Sequence, residues 1–223
     1  MDFNTVNRMA LSQFVLSNTT TPEMVTFLAK QTEQVIVCDP GSSSSSRQLP
    51  PLPTFIASII INSQVPVSTL TTSAVYLDRL RSRLPADAKG MCCTAHRIFL
   101  SCLILASKTL NDTHPFNRQW AKYSRAVKGY KHFSGFSVRD VNLMERQLLF
   151  LLGWDLRVHE EHLLHVLEPF LAPIRRDILT DMREWYVIPR KGFGFLTLLP
   201  CAVVGLLFLL RFYFVFPHSP PRG

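Results

Sequence analysis

The sequence predicts an all-α protein, and three observations carry the prediction. No run of any length alternates apolar and polar residues as a half-buried strand would. From about Pro53 to Leu171, apolar residues instead recur at three- and four-residue steps, over stretches of helical length. Prolines and glycines stand where these stretches stop. The simplest architecture is a single five-helix domain whose third helix is surrounded by the others, with flanking helices and a hydrophobic C-terminal segment.

Taken in order, residues 1–20 carry no clear periodicity and read as an N-terminal tail. "MDFNTVNRMALSQF" lacks the charged flank and continuous apolar run of a secretory signal, so export is not expected. Residues 21–38 form a leader: Thr21 is an N-cap, Pro22 occupies the first helical position and Glu23 the first turn. Met24, Val25, Leu28 and Val35 then predict a helix from about 22 to 37. Residues 39–50 lie in "DPGSSSSSRQLPPLP", a Pro, Gly and Ser linker that cannot bury apolar surface. Its PxxP pattern, Pro50 to Pro53, reads as the entry to the next helix more readily than as a polyproline ligand.

The main domain, residues 51–158, holds the five helices. "TFIASIIINSQ" is the first and stops before Pro66. "VSTLTTSAVYLDRLRSRL" is the second, with Leu70, Ala74, Leu77 and Leu80 or Leu84 on one side. "CCTAHRIFLSCLILASKTLN" is the third and the most apolar. "FNRQWAKYSRAVK" is the fourth, with Trp120, Tyr123 and Val127 pointing inward and Gly129 at its end. "SVRDVNLMERQLLFLLGW" is the fifth: Ser137 and Asp140 resemble a capping box, Val138, Val141, Leu148, Leu149 and Leu152 form its apolar face, and Gly153 ends it. Residues 159–189 are a C-terminal helical extension in which "HEEHLLHVLEPFL" is broken at Pro169. Residues 190–216 are a hydrophobic tail.

A chain of 223 residues fits one main core. Lys and Arg number 24 against 16 Asp and Glu, and the net charge of +8 favours acidic partners: nucleic acid, phosphorylated protein or anionic lipid. The five cysteines, at 38, 92, 93, 102 and 201, form no CxxC pair and are odd in number. Neither a disulfide framework nor a zinc site is indicated, which fits a reducing compartment, cytosol or nucleus. His159, His162 and His165 are three apart, whereas an HExxH site needs histidines four apart on one face. No metal site is expected there.

Two charges interrupt apolar faces. Lys108 sits one turn after Ile104 at the end of the apolar third helix, and Glu145 lies in the row Val141, Glu145, Leu149 of the fifth. An unpartnered buried charge is costly enough that such groups pair, snorkel or neutralise. Three readings are open from the residues alone: Lys108 snorkels, Lys108 pairs with Glu145, or both lie where a partner docks.

The run "TLTTSAVYLDRLRSRLPADAKGMCCTAHRIFLSCLILASKTLND", with "WAKYS" and "VNLMERQLLFLLGWDLRV" after it, resembles the cyclin box of the fungal PCL cyclins. These are regulatory subunits of the phosphate-responsive cyclin-dependent kinase. The resemblance covers about Thr21 to Asp177 and implies that residues 51–158 form the box. It also implies a chain without catalytic residues or cofactor, which binds and activates a cyclin-dependent kinase in cell-cycle or nutrient control. In cyclins the lysine of the ASK motif and the glutamate of the later helix bond backbone groups beside the kinase's mobile αC helix, which assigns those roles to Lys108 and Glu145. Helical facing adds Leu105, Thr109, Leu148 and Leu149 to the kinase-binding surface. One departure is that "PTFIASIIINS" lacks the MRxIL pattern by which many cell-cycle cyclins dock substrates.

Arg118, Lys122, Arg125, Lys128 and Lys131 have no acid between them, and those on the fourth helix recur at three- and four-residue steps. They form either a solvated face or a docking strip for acidic or phosphorylated substrate segments. The strip also supports the rival class, a cyclin-like fold serving as a nucleic-acid or transcription adaptor. That rival usually needs a second repeat of the fold, for which residues 172–223 are too short.

Residues 192–210, "GFGFLTLLPCAVVGLLFLL", contain no charge and would span about 28 Å as a helix, close to a bilayer's hydrocarbon core. Two expectations stand. Residues 192–216 are a tail anchor that leaves the cyclin domain cytosolic, Arg190 and Lys191 preceding the span; or the segment is a gene-model artefact, such as a translated intron, and the protein is nuclear and cytoplasmic.

Overall fold

The structure, a computed structural model, describes residues 2–39, 49–85 and 87–187. The chain parts into two units, residues 1–179 and 180–223, and of the second the described residues, 180–187, are helical.

The five expected helices are present: α3 (Leu52–Ser63), α4 (Val67–Arg83), α5 (Thr94–Leu110), α6 (Asn117–Arg125) and α7 (Val138–Leu151). Helix α5 lies at the centre, packed chiefly on α4 and α7. Its Leu100, Cys102, Leu103, Ile104 and Ala106 are all sealed from solvent, as the most apolar segment must be to remove that area from water. Helix α4 is buried almost all round. Leu70, Ala74, Leu77 and Leu80 face inward as expected, and so do Thr69, Thr72 and Ser73. The Ser73 hydroxyl satisfies itself by donating to the carbonyl of Leu70 at 2.7 Å, so the polar residues that blurred the pattern carry little penalty.

Local signals hold at the starts of α2 (Pro22–Glu33) and α7, whereas α6 stops at Arg125, short of the expected end at Gly129. The Thr21 hydroxyl accepts the Met24 N–H at 3.4 Å to start α2. Ser137 and Asp140 form the capping box of α7: the serine hydroxyl accepts the Asp140 N–H at 3.1 Å, and the carboxylate accepts the Ser137 N–H at 3.0 Å. Those bonds hold the Asp140 carboxyl below its usual range. Val138 is a correction to the apolar face of α7. It lies exposed on a stripe shared with Asn142, Glu145 and Leu149, at the edge of the buried face.

Two further expectations are corrected. The first residues are not a tail without structure: α1 (Phe3–Ser17) forms, started by the Asp2 carboxylate accepting the Thr5 N–H at 3.0 Å. Its buried stripe is only Val6, Asn7 and Ala10, too narrow and too polar to show as a period. It packs through Ala10 and Phe14 on Leu167, Phe170 and Leu171. The leader helix stops at Glu33, and Val37–Asp39 form a strand, β1, paired in parallel with β2 (Lys89–Met91). Strands of three residues are too short for alternation to be visible. The break expected at Pro169 is present: α8 (Glu160–Val166) stops at Leu167, two residues before the proline, and α9 (Glu168–Val187) starts with Pro169 in its first turn, where a missing N–H has no helical partner to lose.

Pro50 is buried with its carbonyl held by His96 at 2.8 Å, so the proline cluster sets the entry of α3. The hydrophobic stretch 192–210 lies outside the described residues. Among those, no helix is long and apolar enough to cross a membrane.

Candidate protein-binding site

Lys108 belongs to the last turn of α5, where a cation also meets the negative end of the helix dipole. Helix α7 packs alongside and brings Glu145 opposite. The Lys108 ammonium donates to Glu145 Oε1 at 2.5 Å, with the two side chains 28% and 15% exposed. Of the three readings open to Lys108, the structure shows the pair. A third helix joins it: Asn117, the first residue of α6, donates from Nδ2 to Glu145 Oε2 at 2.6 Å and to Asn142 Oδ1 at 2.7 Å. Both oxygens of Glu145 are thus held, and its carboxylate cannot rotate freely.

The chemistry left over faces outward. An ammonium carries three donors, of which the pair uses one; each carboxylate oxygen accepts two bonds, of which one is filled. The partly exposed edge can therefore donate to a partner's carbonyl and accept from a partner's N–H without breaking the internal pair. Thr109 is exposed beside it, and Leu149 is half-buried on α7 one turn beyond Glu145. Leu105 and Leu148, placed on this surface by helical facing, are each 3% exposed and belong to the core beneath it.

Sequence reasoning missed two groups. Asn117 and Asn142 complete the polar network, and an asparagine on a polar helix face carries no signal in the sequence. Trp154, just past α7, is 71% exposed with φ +59°, next to the exposed Phe150 and Leu151. Within "LLFLLGW" the helical period already leaves Phe150 and Leu151 off the apolar face, but Trp154 lies past the helix and only the fold shows that it faces out. The Tyr76 hydroxyl donates to the carbonyl of Leu156 at 2.9 Å and lies 3.5 Å from Thr109 Oγ1, which places the turn after α7 against the end of α5.

The basic residues fall as the spacing predicts. Arg118, Lys122 and Arg125 are exposed on the face of α6 opposite Trp120, Ala121 and Ser124, and Lys128 and Lys131 are exposed in the connection that follows. Among the described residues none of the five forms an ion pair. His162 lies 2.9 Å from the Asp78 carboxylate, tying α8 to α4, while His159 and His165 are exposed. No group of metal-ligating side chains occurs among the described residues. The cysteines there are free thiols, and burial pushes the Cys102 thiol well up.

Residues 18–157 match the model of the cyclin N-terminal domain. The chain is similar to PHO85 cyclin-1 of Saccharomyces cerevisiae, with 42% identity over 179 residues, covering 76% of this chain and 61% of that protein. It is similar also to PHO85 cyclin-2 of the same yeast, with 41% identity over 159 residues, covering 70% of this chain and 49% of that protein. PHO85 cyclin-9 shows 38% identity over 163 residues, covering 73% and 51%. The chain thus spans from about half to three-fifths of the length of these relatives.

Proposed function

The chain belongs to the cyclin N-terminal domain family, and from that membership we propose that it is a non-catalytic regulatory subunit that binds and activates a cyclin-dependent protein kinase. The similarity to PHO85 cyclins supports a kinase of that phosphate-responsive type, with nutrient or cell-cycle control as the setting. The observation that carries the proposal is the Lys108–Glu145 pair, held by Asn117 at a partly exposed edge with spare donors and acceptors. Lys108, Thr109, Glu145 and Leu149 form the contact surface, supported from below by Leu105 and Leu148.

The mechanism is differential affinity. Kinase catalysis requires the αC glutamate to pair with the β3 lysine, and a subunit that binds this αC-in state more tightly shifts the population toward it. A subunit binding both states equally would activate nothing. Lys108 and Glu145 suit the task because they bond backbone groups, whose spacing reports the position of αC whatever its side chains.

Isothermal titration against a purified PHO85-type kinase tests the assignment. Lys108→Ala and Glu145→Ala should retain the helical circular dichroism and lose about 1 kcal/mol of stability, since the pair is part-exposed. Kinase affinity should fall about tenfold or more. Unchanged affinity would overturn it, and affinity purification returning nucleic-acid machinery without a kinase would favour the adaptor class.

The strip Arg118, Lys122, Arg125, Lys128 and Lys131 is proposed as the docking face for acidic or phosphorylated substrate segments. Its exposure, and the absence of an ion pair to any of the five among the described residues, support that role. The free thiols among the described residues fit a nuclear and cytoplasmic location.

A further inference from the structure

We propose that Tyr76 and Arg79 of α4 are positioning residues for partner binding: they hold the turn Trp154–Arg157 so that the Trp154 indole is presented as a fixed apolar anchor. The inference rests on the reading of the α5–α7 edge as the kinase-binding surface and extends that surface to a residue and a support that the charged pair does not include.

Three successive carbonyls of the turn are bound from one helix. Arg79 Nη1 donates to the carbonyl of Asp155 at 2.5 Å, the Tyr76 hydroxyl to that of Leu156 at 2.9 Å, and Arg79 Nη2 to that of Arg157 at 2.9 Å. The guanidinium also lies 3.5 Å from the Asp155 carboxylate, and Arg83 Nη1 donates to the last-turn carbonyl of Leu151 at 3.2 Å. Tyr76 is fully buried and Arg79 only 9% exposed. A buried guanidinium is tolerable only where it is partnered, and here two backbone carbonyls of one turn accept from it with the Asp155 carboxylate alongside.

The turn they hold is strained and would otherwise be loose. Gly153 and Trp154 both have positive φ, +57° and +59°. Glycine adopts that conformation freely; for a bulky indole it is an outlier that persists only where surrounding contacts impose it. The Trp154 amide donates to the carbonyl of Leu149 at 3.0 Å, which ties the turn to the half-buried residue already placed on the contact surface. Tyr76, touching both Thr109 Oγ1 and the Leu156 carbonyl, ties it to the end of α5. With its backbone held, Trp154 has only its two side-chain torsions to order on binding, a small cost for so large an apolar surface, which suits an interface anchor.

A double-mutant cycle with a purified PHO85-type kinase tests the inference, each affinity being measured on the full chain by titration. Trp154→Ala should weaken binding about tenfold or more. Tyr76→Phe removes one hydroxyl without changing shape, and Arg79→Lys replaces a fork that bonds two carbonyls with a single point donor. Each should weaken binding at least about threefold while circular dichroism stays unchanged, and in the Trp154→Ala background the same changes should have almost no further effect. Equal losses in both backgrounds would show a merely structural role and overturn the inference, as would affinity unchanged in Trp154→Ala. Should Arg79→Lys fail to fold, the Tyr76→Phe cycle decides alone. A wild-type chain that binds no such kinase overturns the proposed function along with this inference, whereas binding with additive losses overturns only this one.

Discussion

His96 is buried with Nε2 2.8 Å from the carbonyl of Pro50 and its ring edge-on to Phe55 at 5.0 Å. A carbonyl only accepts, so Nε2 carries the proton, and Nδ1 is left bare and without a partner. Charging this ring would bury a cation, and burial accordingly holds its pKa below the ordinary 6.5. In the unfolded chain the ring protonates near 6.5, so below that pH the unfolded state binds more protons than the folded one. The stabilising contribution is present above this value and is lost as pH falls through it. Thermal melting of the wild type should therefore drop as pH is lowered from about 7.5 to about 5.5, and His96→Gln should flatten that slope. None of this was visible in the sequence, where His96 is one polar residue in an apolar run. Lys108 and Glu145 were visible, because a charge in an apolar row is conspicuous without any structure. Their direct contact was not, since it depends on how two helices 37 residues apart settle against each other.

At the scale of elements, the α6–α7 connection shows how a turn sets the site's geometry. The Ser124 hydroxyl, buried at the end of α6, accepts the Phe136 N–H at 2.9 Å, and this seats the start of α7 against α6. Gly135 makes the approach feasible. Its φ is +61°, and a Cβ there would lie 2.5 Å from Arg125 Cγ and 2.8 Å from both the Arg125 backbone nitrogen and Ser124 Oγ. Gly135→Ala should cost about 3 kcal/mol in urea unfolding, from strained backbone plus overpacking. Gly129, at φ +86° with nothing within 4 Å of a Cβ, should cost only about 1 kcal/mol when changed to Ala. Helix starts at Thr21 and Ser137 were legible because a cap is made within three or four residues. Helix α1 and the β1–β2 pair were not: a stripe of Val6, Asn7 and Ala10, or two strands of three residues 52 positions apart in register, gains stability only from what it lands on.

At the scale of the whole molecule, charge is distributed with a purpose that composition alone could only hint at. The net charge of +8 becomes directional on α6, where the exposed basic strip faces away from the core. Reversing Arg118, Lys122 and Arg125 together to Glu should lower affinity for a phosphorylated acidic peptide by about tenfold and flatten its salt dependence, read by fluorescence anisotropy between about 50 and 300 mM salt. Unchanged affinity would leave the strip as solvated surface. By itself the sequence determined helices α2 to α7, several of their ends, the central place of α5 and the two charges that break apolar faces. All of these rest on periods and caps set by neighbours within about four residues. Only the tertiary structure decided that Lys108 meets Glu145 and Asn117, that Leu105 and Leu148 lie beneath the surface, and that Tyr76 and Arg79 reach a turn 76 to 80 residues away. Such contacts are made where the packed faces of distant segments happen to converge, and no local pattern records that convergence.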